Sequence, residues 1–205
     1  MRIGAAVLAA GASRRFGEED KLAQPFRGRP LGEHVVAALP LDRIAEADRW
    51  IVVSRLEHPW TTAWQAAGFQ SVVNTDAMRG IGTSVATAGM LAIDAELDGL
   101  IIALADMPLI QREHFDALIE AFADPSDLIC SSNGASRMPP AIIGSKHFSA
   151  LARQSGDTGA RDLLARGRVI DCPSEWLIDI DTRQALQTYG QAPAAQPKPP
   201  LKGDN

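Results

Sequence analysis

The chain has 205 residues, 46% hydrophobic and 22% charged, enough for one packed α/β core and unlike a disordered or collagen-like protein. Twenty Lys and Arg against 25 Asp and Glu leave a net charge of −5. That balance argues against general nucleic-acid binding and a polybasic membrane contact, while leaving room for a local basic pocket.

Arg2 and the apolar residues after it outline a short signal peptide, but Arg14 and Arg15 follow directly and a first strand explains the same letters. No apolar run approaches the roughly 20 residues that span a bilayer. In chain order, residues 3–8 form a continuous small-apolar run, expected of a strand buried on both faces. A helix pattern (Leu31, Val35, Val36, Leu39) ends at Pro40, and strands are predicted at 50–53 and 71–73 around a helix at 60–67. Gly80-Ile81-Gly82-Thr83-Ser84 opens a helix running through Ala95, and strand 100–105 stops at Asp106-Met107-Pro108. A helix over 111–123 and a strand over 128–130 come next.

Beyond these, the pattern predicts a short strand at 141–143, helices at 146–153 and 160–166, closing strands at 169–170 and 176–180, and a last helix at 182–189. The proline-rich tail, 191–205, reads as disordered. Strands alternating with helices imply an α/β fold with a mostly parallel sheet, helices on both faces, and ligands beyond the carboxyl ends of the strands. Cys130 and Cys172 are too few for a disulfide framework and too far apart for a zinc knuckle, so a reducing, cytoplasmic setting is expected. His34, His58, His114 and His147 show no ligand spacing, and the four tryptophans read as core.

The loop after the first strand reads Leu8-Ala9-Ala10-Gly11-Ala12-Ser13-Arg14-Arg15-Phe16-Gly17 and ends in Asp20-Lys21-Leu22. Small residues there let backbone N–H groups approach a ligand, and Arg14, Arg15 and Lys21 add cationic donors suited to phosphate. It is not a P-loop, because Phe16 stands where that loop has glycine. Nor is it a dinucleotide fingerprint, because Ser13 replaces the second glycine. On charge alone, a solvated surface loop is the simpler account.

The whole string, Leu-Ala-Ala-Gly-x-Ser-x-Arg-Phe-Gly-x-x-Asp-Lys-Leu, resembles the signature of nucleotidyltransferases acting on molybdopterin-type substrates, and above all their molybdenum cofactor cytidylyltransferase branch. The resemblance covers about residues 3–189 and implies a Rossmann-like nucleotidyltransferase fold. It implies a single domain over 1–190, with the nucleotide held by about residues 1–110 and the acceptor by about 111–190. By resemblance, Arg15 and Lys21 hold the phosphates, and Leu8, Ala9, Ala10 and Gly11 supply backbone to the nucleotide.

Asp106, ending a buried apolar strand, suits a hard cation or a helix cap about equally; its likeness to the family's Asp-x-Pro motif implies Mg²⁺ and a catalytic role. Asp179 and Asp181 alternate onto one face of a strand, and Asp181 is taken as the second metal ligand although either could serve. The family usually follows this segment with Pro and an acidic residue, where this chain has Arg183-Gln184. Gly82 and Ser84 resemble the family's Gly-Met-Gly-x-Ser segment toward the nucleotide, with Ile81 in place of the methionine and capping the competing role for Ser84. Gly82-x-Ser84-x-Ala86 also hints at a hydrolase elbow, but no strand runs directly into it. Gly156-Asp157-Thr158-Gly159-Ala160-Arg161 resembles a cytidylyl-branch string, implying that Asp157 and Arg161 bind the acceptor; a plain helix start is the rival account.

The resemblance therefore implies Mg²⁺-dependent transfer of CMP from CTP to molybdopterin or molybdenum cofactor, with release of pyrophosphate. A molybdoenzyme client is a further implied partner; nucleic acid and membrane are not. The rivals are guanylyl or other nucleotidyl transfer to a phosphorylated acceptor, and a cofactor-binding chaperone without catalysis.

Overall fold

A computed structural model describes residues 1–11, 16–17 and 19–191. The strand β1 (Ile3–Leu8) is the centre of the molecule, with Ala5, Ala6 and Val7 wholly buried. Its small side chains let layers close on both of its faces. β1 pairs in parallel with β4 (Arg49–Val53) on one side and β6 (Gly99–Leu104) on the other. A separate hairpin joins β2 (Pro25–Phe26) and β3 (Arg29–Pro30).

The main sheet runs β5-β4-β1-β6-β8-β7-β9, where β5 is Gln70–Val73, β7 Leu128–Ser132, β8 Arg137–Gly144 and β9 Arg168–Asp171. Only β8 runs antiparallel to its neighbours in this sheet. The chain builds outward from β1 through β4 to β5, then crosses back to β6 on the other side of β1. That reversal makes the gap between the carboxyl ends of β1 and β6 the topological switch point, where α/β sheets hold their ligands.

Alternation along β1 sends Ala5 and Val7 into one core and Ala6 and Leu8 into the other. The first core takes residues of α1 (His34–Ala38), α2 (Thr61–Ala66) and α4 (Arg112–Ala121). In α4, His114, Phe115, Leu118 and Ile119 form the buried stripe that a 3.6-residue period dictates. The second core takes α3 (Ile81–Asp94), α5 (Phe148–Leu151) and α6 (Arg161–Leu164). α7 (Arg183–Gly190) closes the chain against the first core.

Two expectations need correcting. The pattern over 176–180 is not a strand: a 3₁₀ turn spans Ser174–Leu177, and the extended residues after it form no ladder. Ile180 N donates to Asp106 O at 2.9 Å, so the segment hooks onto the loop after β6 instead of extending the sheet. The long helix patterns over 31–39 and 146–153 break into 3₁₀ turns, Leu31–Glu33 and Ser145–His147, followed by short α1 and α5. Of the tail over 191–205, read as disordered, all but Gln191 lies outside the described residues.

Candidate active site

Beyond Leu8 and Leu104 at the switch point opens a cleft of about 630 Å³. Leu8, Ala9, Ala10 and Gly11 line it as β1 exits the sheet. Ala9 N donates to Val52 O at 2.8 Å, which holds that exit against the neighbouring strand. Arg14 and Arg15 lie outside the described residues.

Lys21 is the focus of the cleft. Asp20 caps a 3₁₀ turn, Lys21–Ala23, by accepting from Leu22 N at 3.0 Å, and Leu22 is buried behind the turn. The Lys21 ammonium is thereby sent to the carboxylates of Asp106 (2.6 Å) and Asp181 (2.8 Å), and only 8% of the residue is exposed. Burial alone would lower its pKa, but the two carboxylates outweigh that, and it stands above the ordinary lysine value.

Neither aspartate serves as a helix cap. α4 starts at Gln111 without a side-chain cap, and Thr182 caps α7 by accepting from Ala185 N at 3.1 Å, which leaves Asp181 to face the cleft. Asp179 parts company with Asp181. It lines a second cavity of about 780 Å³, its Oδ1 is buried without a hydrogen-bond partner, and burial, Asp106 and Asp181 push its pKa up to about 7. Two carboxylates thus hold the lysine, and a third, with one oxygen unsatisfied, feels its charge from beside them.

That donor set fits a hard divalent cation. Mg²⁺ takes one or two carboxylates and completes its shell with water and substrate phosphate. Among the described residues no group of three or more His, Cys, Asp or Glu forms a ready-made metal cage. Asp106 and Asp181 would hold the ion.

The second cavity shares Leu8, Ile81, Leu104 and Asp157 with the first, so the two form one continuous trough. Arg137 and Arg161 line it, and Asp157 borders both halves. The N-cap of α6 is Ala160, with no side-chain cap, so neither Asp157 nor Thr158 is spent on capping. Gly82 does not line the cleft. Its missing side chain lets α3 sit against the loop around Gly156, where Gly82 N donates to Gly156 O at 2.8 Å. Ser84 does line the cleft, and its Oγ accepts from Asn74 Nδ2 at 2.9 Å.

Several contributors had no sequence signal of their own. Asn74, buried at the end of β5, ties Thr83 and Ser84 to that strand. Arg183, where the family pattern was broken, donates to Phe16 O at 3.3 Å and pairs with Glu19 at 3.1 Å, so α7 grips the far limb of the loop. Asp20 stood in the signature string beside Lys21, but nothing in the sequence pointed to its partners.

Residues 5–170 match the MobA-like NTP transferase domain. The purine catabolism protein PucB of Bacillus subtilis is 36% identical over 199 residues, covering 90% of this chain and 94% of that protein. A nucleotidyl transferase from Methanothermobacter thermautotroptrophicus superposes with a TM-score of 0.72 at 20% identity, over 92% of this chain and 96% of that one. Molybdopterin-guanine dinucleotide biosynthesis protein A from Archaeoglobus fulgidus gives 0.57 at 18% identity, over 93% and 97%. With its central sheet open at the switch point and the domain matched over most of its length, the chain belongs to the MobA-like NTP transferase family.

Proposed function

We propose that this nucleotidyltransferase moves CMP from CTP to the terminal phosphate of a molybdopterin-type acceptor and releases pyrophosphate. The observation that carries the reading is the Lys21–Asp106–Asp181 triangle, which stands in the first cleft of the trough while Asp179, beside it, faces the second. CTP would lie along Ala9, Ala10 and Gly11 with its triphosphate toward Lys21, and the acceptor would lie toward Arg137 and Arg161. Gly80, Ile81 and Ser84 would border the nucleotide, and Arg15 would add a second cation on the phosphates.

In-line attack by an acceptor phosphate oxygen on the α-phosphorus forms one P–O bond as the bond to pyrophosphate breaks, so no protein group becomes covalently attached. Held by Asp106 and Asp181, a divalent cation, Mg²⁺ in this reading, would neutralise charge on the phosphate oxygens. Lys21, which reaches Asp106 and Asp181 from inside the cleft, would turn its ammonium to the triphosphate. Positioning and charge neutralisation supply the rate. The purine-catabolism name of the 36% identical relative favours a client molybdoenzyme that acts on purines.

Base choice rests on Ala10, 95% buried in the cleft wall, whose methyl group narrows the space a purine would need. The experiment is pyrophosphate release from CTP, GTP and ATP at equal concentration with Mg²⁺ and molybdenum cofactor. CTP is expected to lead by about tenfold or more, and Ala10→Gly to narrow the gap. A GTP preference would overturn the cytidylyl assignment. Cofactor binding without pyrophosphate release would favour the chaperone reading.

A further inference from the structure

Asp20 lines neither half of the trough, yet its carboxylate accepts three N–H groups: Leu22 N at 3.0 Å, the Trp60 indole at 3.0 Å and His58 at 2.7 Å. An ionised carboxylate only accepts, so the shared hydrogen sits on His58 Nδ1. His58 Nε2 is buried without a partner, the side chain is 7% exposed, and the ring stacks on the fully buried Trp60 at 4.8 Å. A phenylalanine would fill the same slot without burying an unsatisfied nitrogen. What histidine adds is the donor to Asp20.

The turn that Asp20 caps is short, held mainly by Ala23 N and Gln24 Nε2 on Asp20 O and by Gln24 N on Lys21 O. The direction of the Lys21 side chain therefore depends on where Asp20 is pinned. We propose that His58 and Trp60 are positioning residues that act through Asp20 to set the Lys21 ammonium in the cleft. This rests on the reading of Lys21 as the phosphate-holding cation.

The test uses the full chain with His58→Ala, His58→Gln and His58→Asn. An asparagine amide overlies Nδ1 and restores the donor, whereas glutamine places its amide at Nε2. Without nucleotide, acylation of Lys21 by an amine-reactive probe is followed by peptide mass spectrometry. The alanine and glutamine variants are expected to label about tenfold faster than wild type, and the asparagine variant near the wild-type rate. In parallel, His58→Ala should weaken CTP·Mg²⁺ binding about tenfold in the wild-type background and hardly at all when Lys21→Met is already present.

Equal losses in both backgrounds, or wild-type labelling in all three variants, would overturn the proposal. Should His58→Ala fail to fold, Trp60→Phe removes a single donor and is expected to shift labelling about threefold in the same direction; unchanged labelling there would overturn it as well. If wild type binds no CTP, the functional reading fails while the labelling arm still decides this one.

Discussion

At Lys21, opposing influences meet on one nitrogen. Burial disfavours the ammonium, the carboxylates of Asp106 and Asp181 favour it, and the carboxylates win. The ammonium stands 2.6 and 2.8 Å from those oxygens, on the same two carboxylates that would hold a divalent cation. In the proposed reading, a cation held by Asp106 and Asp181 would compete with Lys21 for the same carboxylates. Lys21→Met should move two affinities in opposite directions. Manganese binding without nucleotide, read by electron paramagnetic resonance, is expected to tighten by about tenfold, and CTP binding to weaken by at least as much, each about 1.4 kcal/mol. A loss of both would make the lysine a structural prop of the loop.

Among the elements, the junction of α3 with the loop around Gly156 couples the two halves of the trough. Gly80 stands at φ 113°, and a Cβ there would come within 2.4 Å of the Gly156 carbonyl; at Gly82 it would come within 2.5 Å of the Ser155 backbone. Both partners are main chain and cannot rotate away. Gly82→Ala is expected to cost about 1–3 kcal/mol in denaturant unfolding and Gly80→Ala more, because the second adds backbone strain. Destabilisation below about 0.5 kcal/mol would mean that the loop yields freely.

Much of this was legible in the letters. β1, β4 and β6 announced themselves as unbroken apolar runs, and Lys21 and Asp106 sat inside strings too specific to be generic. Less legible was how the two glycine motifs use each other: Gly82 read as a ligand contact and proved to be a packing contact with the other motif. Period-2 alternation over 176–180 looked like a strand because spacing cannot say whether a neighbouring strand is there to pair with. His58 and Asp20, 38 residues apart, meet only through tertiary folding.

Across the whole molecule, buried titratable groups bend stability with pH in both directions. His114 lies in the core, its Nε2 2.7 Å from Ser131 Oγ, which itself donates to Pro140 O at 2.6 Å. Since that hydroxyl hydrogen is spent on Pro140, His114 Nε2 is the donor, and the link ties α4 to β7 and β8. Burial holds the His114 pKa below its ordinary value of 6.5, and His34 is lowered in the same way. The unfolded chain thus takes up these protons first, so the stability they secure is present above about pH 6.5 and is lost as pH falls through the folded values. Asp179 works the other way: raised from 3.8 to about 7, it adds stability at acid pH that is lost as pH rises through about 7. The two trends overlap below about pH 6.5, so a wild-type profile alone cannot separate them. His114→Gln keeps the donor to Ser131 and deletes the titration. In urea unfolding at pH 7.5 and 5.5, wild type should lose more stability on acidification than His114→Gln, by up to about 1.4 kcal/mol for each pH unit over which the one proton is withheld. Equal losses in the two proteins would show that the imidazole takes up its proton within the fold as readily as outside it.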